Sequence, residues 1–277
     1  MIGTSQVFRR LDEHLEEIWQ KDPDIINRLM FISPKGSVNY GTTTDKSDID
    51  SVIVTLPSVD SLLEGRTKKQ YIELSNHEFC TVWEMPTFLD LLLKQNPTVL
   101  EALFSYFIYW PYGSRGLKSV DRLISIKDDV ARYDPSLAYK AMLGVFQNEF
   151  RRICLNVDDD DVFYKAAYHC RRLLFMLNRY FNGGPYFNCV LLPEDEAEEV
   201  LAYRKRERTK KDILITLGRA SESLENNKDN NINYLEFLVE NRERQEKVLD
   251  TFNQIKLECI AETIRLYGKD YGLCVSN

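Results

Sequence analysis

Histidine is scarce in this 277-residue chain, which has only His14, His77 and His169. Its six cysteines, Cys80, Cys154, Cys170, Cys189, Cys259 and Cys274, stand far apart, and none share a Cys-x-x-Cys spacing. So few soft ligands, so placed, leave no basis for a structural zinc site. Scattered, unpaired cysteines suit a reducing compartment. Positive charge is also short: 36 Lys and Arg stand against 43 Asp and Glu, a net charge of −7. The surface as a whole therefore repels polyanions, and any nucleic acid must meet a local basic patch. No apolar run is long. The most apolar region, 91–110, is interrupted by Lys94, Asn96-Pro97 and Glu101, too soon for a membrane span. No basic-then-apolar leader opens the sequence, so the expectation is a cytoplasmic protein without a membrane partner. What remains, 44% apolar and 29% charged residues, is the composition of a folded globular chain with a substantial core.

The most informative stretch runs from Gly36 to Val54. A short apolar run, Leu29 to Ile32, leads through Ser33-Pro34-Lys35 into Gly36-Ser37-Val38-Asn39-Tyr40-Gly41, and an alternating run from Asp48 to Val54 closes it. The pattern reads strand, Gly-rich turn, short helix or loop, strand. Alternation along a strand projects Asp48 and Asp50 together and sends Ile49 into the core. Two carboxylates at one strand end make a hard-oxygen site suited to Mg²⁺ or Mn²⁺. Gly36 lets the backbone approach a ligand, and Ser37 can begin a helix whose free N–H groups face phosphate oxygens. Together they imply a nucleoside triphosphate held with its metal. This resembles the Gly-Ser, spacer, Asp-hydrophobic-Asp signature of the DNA polymerase β nucleotidyltransferase superfamily.

Around that stretch, Phe8, Leu11, Leu15 and Ile18 mark an amphipathic helix within 6–27. Tyr71–Leu74 and Glu78–Trp83 read as a hairpin about Ser75-Asn76. Met85–Lys94 reads as a helix, and Asn96 caps another with Pro97 at its first position. Beyond Gly113 the signal is helical. The acidic run Asp158–Asp161 reads as a cap on the next helix, where Lys165, His169 and Arg172 share one face by their spacing of four and three. Arg204-Lys205-Arg206-Glu207-Arg208-Thr209-Lys210-Lys211 is the one dense basic cluster. Near the C-terminus, Tyr234, Leu235, Leu238, Leu249, Phe252, Ile255, Cys259 and Ile260 form an imperfect stripe. It suits packing back on the helical part or a homodimer through the long helix.

The resemblance narrows at Asn96–Phe104, Tyr164–Leu174 and Leu201–Arg204. With the Gly-Ser and Asp-Ile-Asp segments, these look like motifs of the RNA-ligase-associated (RlaP-type) nucleotidyltransferases, in order over residues 30–225. The resemblance implies an α+β protein: a small mixed-sheet nucleotidyltransferase fold over 1–114, then an all-helical domain over 115–277. The long C-terminal helix would follow a polar linker near 226–233. It implies transfer of a nucleoside monophosphate from an NTP to a hydroxyl acceptor, with an RNA 3′ end preferred. Protein nucleotidylation and a non-catalytic nucleotide-binding scaffold are the rival readings. Asp48 and Asp50 would hold the metal ions. Gly36, Ser37 and Tyr40 would line the nucleotide site, Lys165, His169 and Arg172 would neutralise the triphosphate, and Arg204 would join them and guide the acceptor. The family places a third carboxylate where strict register puts Phe79. Because Phe79 and Trp83 suit a core better than Glu78 does, the expectation is that a one-residue bulge brings Glu78 into the cleft as catalytic and metal ligand. Glu73 is the substitute.

Overall fold

The computed structural model describes residues 3–44, 47–66, 68–111, 113–237 and 242–268. The chain opens with α1 (Thr4–Lys21) and α2 (Pro23–Asn27). The single helix expected over 6–27 breaks because Asp22 leaves helical geometry, accepts the Asp24 N–H and caps α2 with Pro23 at its first turn. Then follow β1 (Leu29–Pro34), the one-turn α3 (Ser37–Tyr40), β2 (Ser51–Thr55), α4 (Val59–Glu64), β3 (Lys69–Glu73), β4 (Phe79–Glu84), α5 (Met85–Leu93) and α6 (Pro97–Leu103). The sheet order is β1-β2-β4-β3, with β2 and β4 parallel and the other pairs antiparallel. This is the expected small mixed sheet. Asn96 caps α6 by accepting the Thr98 and Val99 N–H groups.

Among the described residues the remaining elements are helices: α7 (Leu117–Ser125), α8 (Lys127–Ala131), α9 (Pro135–Leu155), α10 (Asp160–Phe181), α11 (Tyr186–Val190), α12 (Glu194–Arg204), α13 (Lys210–Asn226), α14 (Lys228–Phe237) and α15 (Arg242–Tyr267). The Asn-rich stretch read as a linker is therefore helical over Lys228–Phe237, packed on α9, with Asn231 donating to the Tyr139 hydroxyl.

The sheet is buried on both faces. Ile32, Ile53, Cys80 and Val82 pack with Val7, Leu11 and Ile18 of α1. Phe31, Val52, Val54 and Trp83 face the other way and join a continuous core reaching through α9 and α10 to Cys259 of α15. The helical part shares that core with the sheet. In α15, Phe252, Ile255 and Cys259 are buried, and the helix packs on α7, α8, α4 and α5. Its Thr263 hydroxyl donates to the Pro57 carbonyl 3.0 Å away. Leu238 of the sequence stripe lies outside the described residues. Among the described residues no helix is long and apolar enough to cross a membrane.

Candidate active site

Antiparallel pairing of Pro34 with Ser51 puts the end of β1 beside the start of β2. The Gly-Ser turn and the acidic pair therefore meet at one sheet edge, where the Lys35 N–H donates to the Asp50 carbonyl at 2.8 Å. Gly36 starts α3 at φ 80°, ψ −142°, a conformation that a side chain would strain. Asn39 secures the turn: its amide donates to the Pro34 carbonyl (2.9 Å) and its oxygen accepts from Ser105 (2.6 Å). The Ser37 side chain is half-buried. Asp48 and Asp50 precede β2 rather than lying in it, yet the expected alternation holds. Asp48 is exposed, Ile49 is buried with α1, and Asp50 is half-buried. One Asp50 oxygen accepts the Phe79 N–H at 2.9 Å. Asp45 and Lys46 of the intervening segment lie outside the described residues.

Glu78 lies elsewhere. The β2–β4 register runs unshifted from Ser51↔Cys80 to Thr55↔Glu84, so the bulge does not form within it. Glu78 shares the α1 face with Cys80 and Val82. Its Oε2 takes Arg10 Nε at 2.6 Å and His14 Nε2 at 2.9 Å, and its Oε1 accepts the Ile49 N–H at 2.9 Å. His14, fully buried, also bonds Ser51 Oγ at 2.9 Å. Burial pushes the Glu78 pKa up, but the Ile49 N–H, His14 and Arg10 outweigh it, and the net direction is down. Glu78 thus braces the acidic segment from behind, on the sheet face away from Asp50. The expected core preference holds for Trp83 but not for Phe79, which is 43% exposed, and Cys80 and Val82 are core residues too, packed on α1. The substitute Glu73 is exposed at the end of β3. Glu84 is buried, accepting from Ser58 and Lys68 N–H groups and the Ser61 hydroxyl.

The α10 face divides similarly. Arg172 is buried and donates to Glu101 Oε1 at 2.6 Å, with its guanidinium 3.9 Å from the centroid of the Tyr40 ring. The Tyr40 hydroxyl donates a short hydrogen bond to the other Glu101 oxygen. These three buried groups clamp α3 to α6 and α10. Tyr168 adds a hydrogen bond to Thr42, just past the turn. The Leu192 N–H closes the clamp on the Tyr40 carbonyl at 3.2 Å. Lys165, two turns before Arg172, is exposed, as is Arg204 at the end of α12. His169 between them is held neutral. Burial, then repulsion from Arg172, Lys165 and Arg204, drives its pKa down to about 3.

The basic cluster is partly spent. Asp159 caps α10 by accepting the Val162 N–H, as the acidic run suggested. Asp160 and Asp161 pair with Arg206 at 3.2 and 2.5 Å, and Asp160 takes Lys210 at 2.5 Å. Arg204, Lys205, Arg208 and Lys211 make no ion pair among the described residues and stay exposed.

Glu101 and Lys35 were missed as site residues. A charged residue within the apolar helix Pro97–Leu103 is the signal that could have flagged Glu101, since a buried carboxylate needs a cationic partner. Lys35 carries no such mark, because its placement depends on strand pairing.

A family model, RlaP, the RNA repair pathway DNA polymerase beta family, matches residues 7–183, well over half of the chain. The match begins before the Gly-Ser turn, takes in most of α1 and all of α10 with Arg172, and ends before Arg204. A search of the curated proteins finds no match.

Proposed function

The chain belongs to the RNA repair pathway DNA polymerase beta family, and from that premise we propose that it is a metal-dependent nucleotidyltransferase. It transfers a nucleoside monophosphate from an NTP to the 3′ hydroxyl of RNA. The observation that carries this is one sheet edge holding the Gly36-Ser37 turn and an outward acidic pair, with the cations Lys165 and Arg204 on the helical part that clamps the turn. The acceptor oxygen bonds to the α-phosphorus as the bond to the bridging oxygen breaks. Pyrophosphate leaves with that electron pair, and the hydroxyl proton passes to water.

The chain's residues fit Mg²⁺ or Mn²⁺ in a limited way. Among the described residues no group of three or more His, Cys, Asp or Glu could hold a metal alone. Two carboxylates suffice for an ion that brings waters and shares phosphate oxygens. Exposed Asp48 and the second oxygen of Asp50 are the donors. Such an ion would neutralise charge on the triphosphate. Glu78 is a positioning residue in this reading, holding the Ile49 N–H between the two aspartates. Gly36 and Ser37 receive phosphate oxygens, Tyr40 and Arg172 hold the turn in place, and Lys165 meets the triphosphate. Neutral His169 can donate one hydrogen bond. Arg204 and the unpaired cations after it guide RNA phosphates. Packing within the chain buries Phe252, Ile255 and Cys259, so the reading needs no second copy.

The test is incubation with each α-labelled NTP, Mg²⁺ or Mn²⁺, and RNA or protein acceptors. Label appearing on RNA 3′ ends supports the proposal. Label on protein hydroxyls would redirect it to protein nucleotidylation. Triphosphate binding without turnover would favour the scaffold reading, in line with the finding that among the described residues no third carboxylate joins Asp48 and Asp50 to hold a metal.

A further inference from the structure

The sheet face that carries Asp50 holds an unassigned cation. Lys35 follows β1, and its backbone N–H meets the Asp50 carbonyl at 2.8 Å. Its side chain crosses β2 on the Asp50 side, and its ammonium donates to Thr81 Oγ1 on β4 at 3.1 Å. The neighbours on that face are Val52, Phe79 and Thr81, by the register Val52↔Thr81 and the Phe79 N–H bond to Asp50. None is a carboxylate. Glu78, the residue before Phe79, faces α1 and is committed to Arg10 and His14, and Glu73, opposite Phe79 on β3, is exposed one strand further out. Where two divalent ions work together, they sit roughly 3.5–4 Å apart and share carboxylate bridges. Among the described residues this face carries two carboxylates and one ammonium, a formal charge of −1 before any ligand. A second divalent ion would have to enter beside a fixed ammonium, which like-charge repulsion opposes.

We propose that this site takes one divalent ion, and that Lys35 supplies the second positive charge, directly to the phosphate group of the bound nucleotide. The inference rests on the nucleotidyltransferase reading of the Asp48–Asp50 site. A protonated amine is a compact point charge with three donors, able to keep Thr81 and still bond a phosphate oxygen. Thr81 then acts as the stay that aims the ammonium from β4.

The experiment is equilibrium dialysis of the full chain with Mn²⁺ and equimolar inorganic triphosphate, a probe independent of base choice. The wild type should retain one protein-dependent Mn²⁺ per chain. Lys35→Met should keep that count while weakening triphosphate binding by roughly tenfold, the loss of a charge-assisted contact. Lys35→Glu, which places a third carboxylate where the ammonium stood, should raise the count to two. Two ions on the wild type would overturn the proposal. So would a Lys35→Met protein that binds triphosphate like the wild type. If Lys35→Glu fails to fold, the wild-type count and the Lys35→Met affinity still decide. Asp50→Asn separates this inference from its premise: Mn²⁺ retention unchanged in that variant would remove the acidic site itself, whatever Lys35 does.

Discussion

Arg172 is where structure and sequence pattern make opposite forecasts. Read from its spacing with Lys165 and His169, it neutralises triphosphate, and Arg172→Ala should chiefly weaken nucleotide binding. In the structure it is buried against Glu101 and Tyr40. Truncation would leave Glu101, only 4% exposed, without its cation. Removing one partner of a buried pair costs about 3–5 kcal/mol. Losing the stacked guanidinium on Tyr40 adds about 0.5–2 kcal/mol. Against a typical total stability of about 5–15 kcal/mol, this is a large fraction, and at about 2–4 °C per kcal/mol the melting temperature should fall by roughly 10 °C or more. The assay is urea unfolding of the wild type, Arg172→Ala, Glu101→Leu, and the double variant Arg172→Met/Glu101→Leu. The double variant should recover part of the lost stability, because it removes both charges and refills the space but leaves the buried Tyr40 hydroxyl without its acceptor. An Arg172→Ala protein as stable as the wild type but deficient in triphosphate binding would refute the reasoning and restore the surface reading.

Lys165→Ala and Arg204→Ala should behave the other way, shifting stability by less than about 0.5 kcal/mol. Nucleotide titration should show weaker binding in the first and RNA titration weaker binding in the second; overlay with the wild type would mean a merely solvated face. Glu78→Gln should lower stability at pH 7, because the pair with Arg10 and His14 is buried. Since the folded Glu78 pKa lies below its ordinary 4.5, its contribution is present above that value and lost as pH falls through the depressed pKa. Acid unfolding of Glu78→Gln should therefore be flatter than wild type below about pH 4.5, and parallel curves would contradict the brace. His169 has a folded pKa near 3 against an ordinary 6.5, so below 6.5 the unfolded chain binds the extra proton. Stability should decline from pH 6.5 toward 3, and His169→Gln should remove part of that slope in pH-dependent unfolding.

Much of the architecture was legible because local chemistry announces it. Asn96-Pro97 marks a helix start by cap and fixed φ, the Ser75-Asn76 turn separates two strand-like runs, and Asp48-Ile49-Asp50 alternates as extended backbone leading into a strand does. The side of the sheet was not legible for Glu78. Both faces are buried, so Phe79 and Trp83 on one and Cys80 and Val82 on the other are equally plausible core residues to a pattern of period two. The spacing of Lys165, His169 and Arg172 correctly puts them on one face. It cannot tell which end of that face α3 covers, and Tyr40 closes over Arg172 while Lys165 stays outside. The stretch after Asn226 looked like a linker because Asn has weak helix propensity; packing of Ile232 and Asn231 on the helical core overrides that preference.

The central claim is that Asp48 and Asp50 form the catalytic edge of a nucleotidyltransferase. The most direct measurement follows α-labelled NTP onto RNA 3′ ends with Mg²⁺ present, for the wild type, Asp48→Asn and Asp50→Asn, each checked for an unchanged unfolding midpoint. Asn at position 50 can still accept the Phe79 N–H, so the fold should hold while the charge is lost. The expected result is metal-dependent label transfer by the wild type and at least a hundredfold loss, about 2.7 kcal/mol of transition-state stabilisation, in each folded variant. Transfer at the wild-type rate by both variants would contradict it.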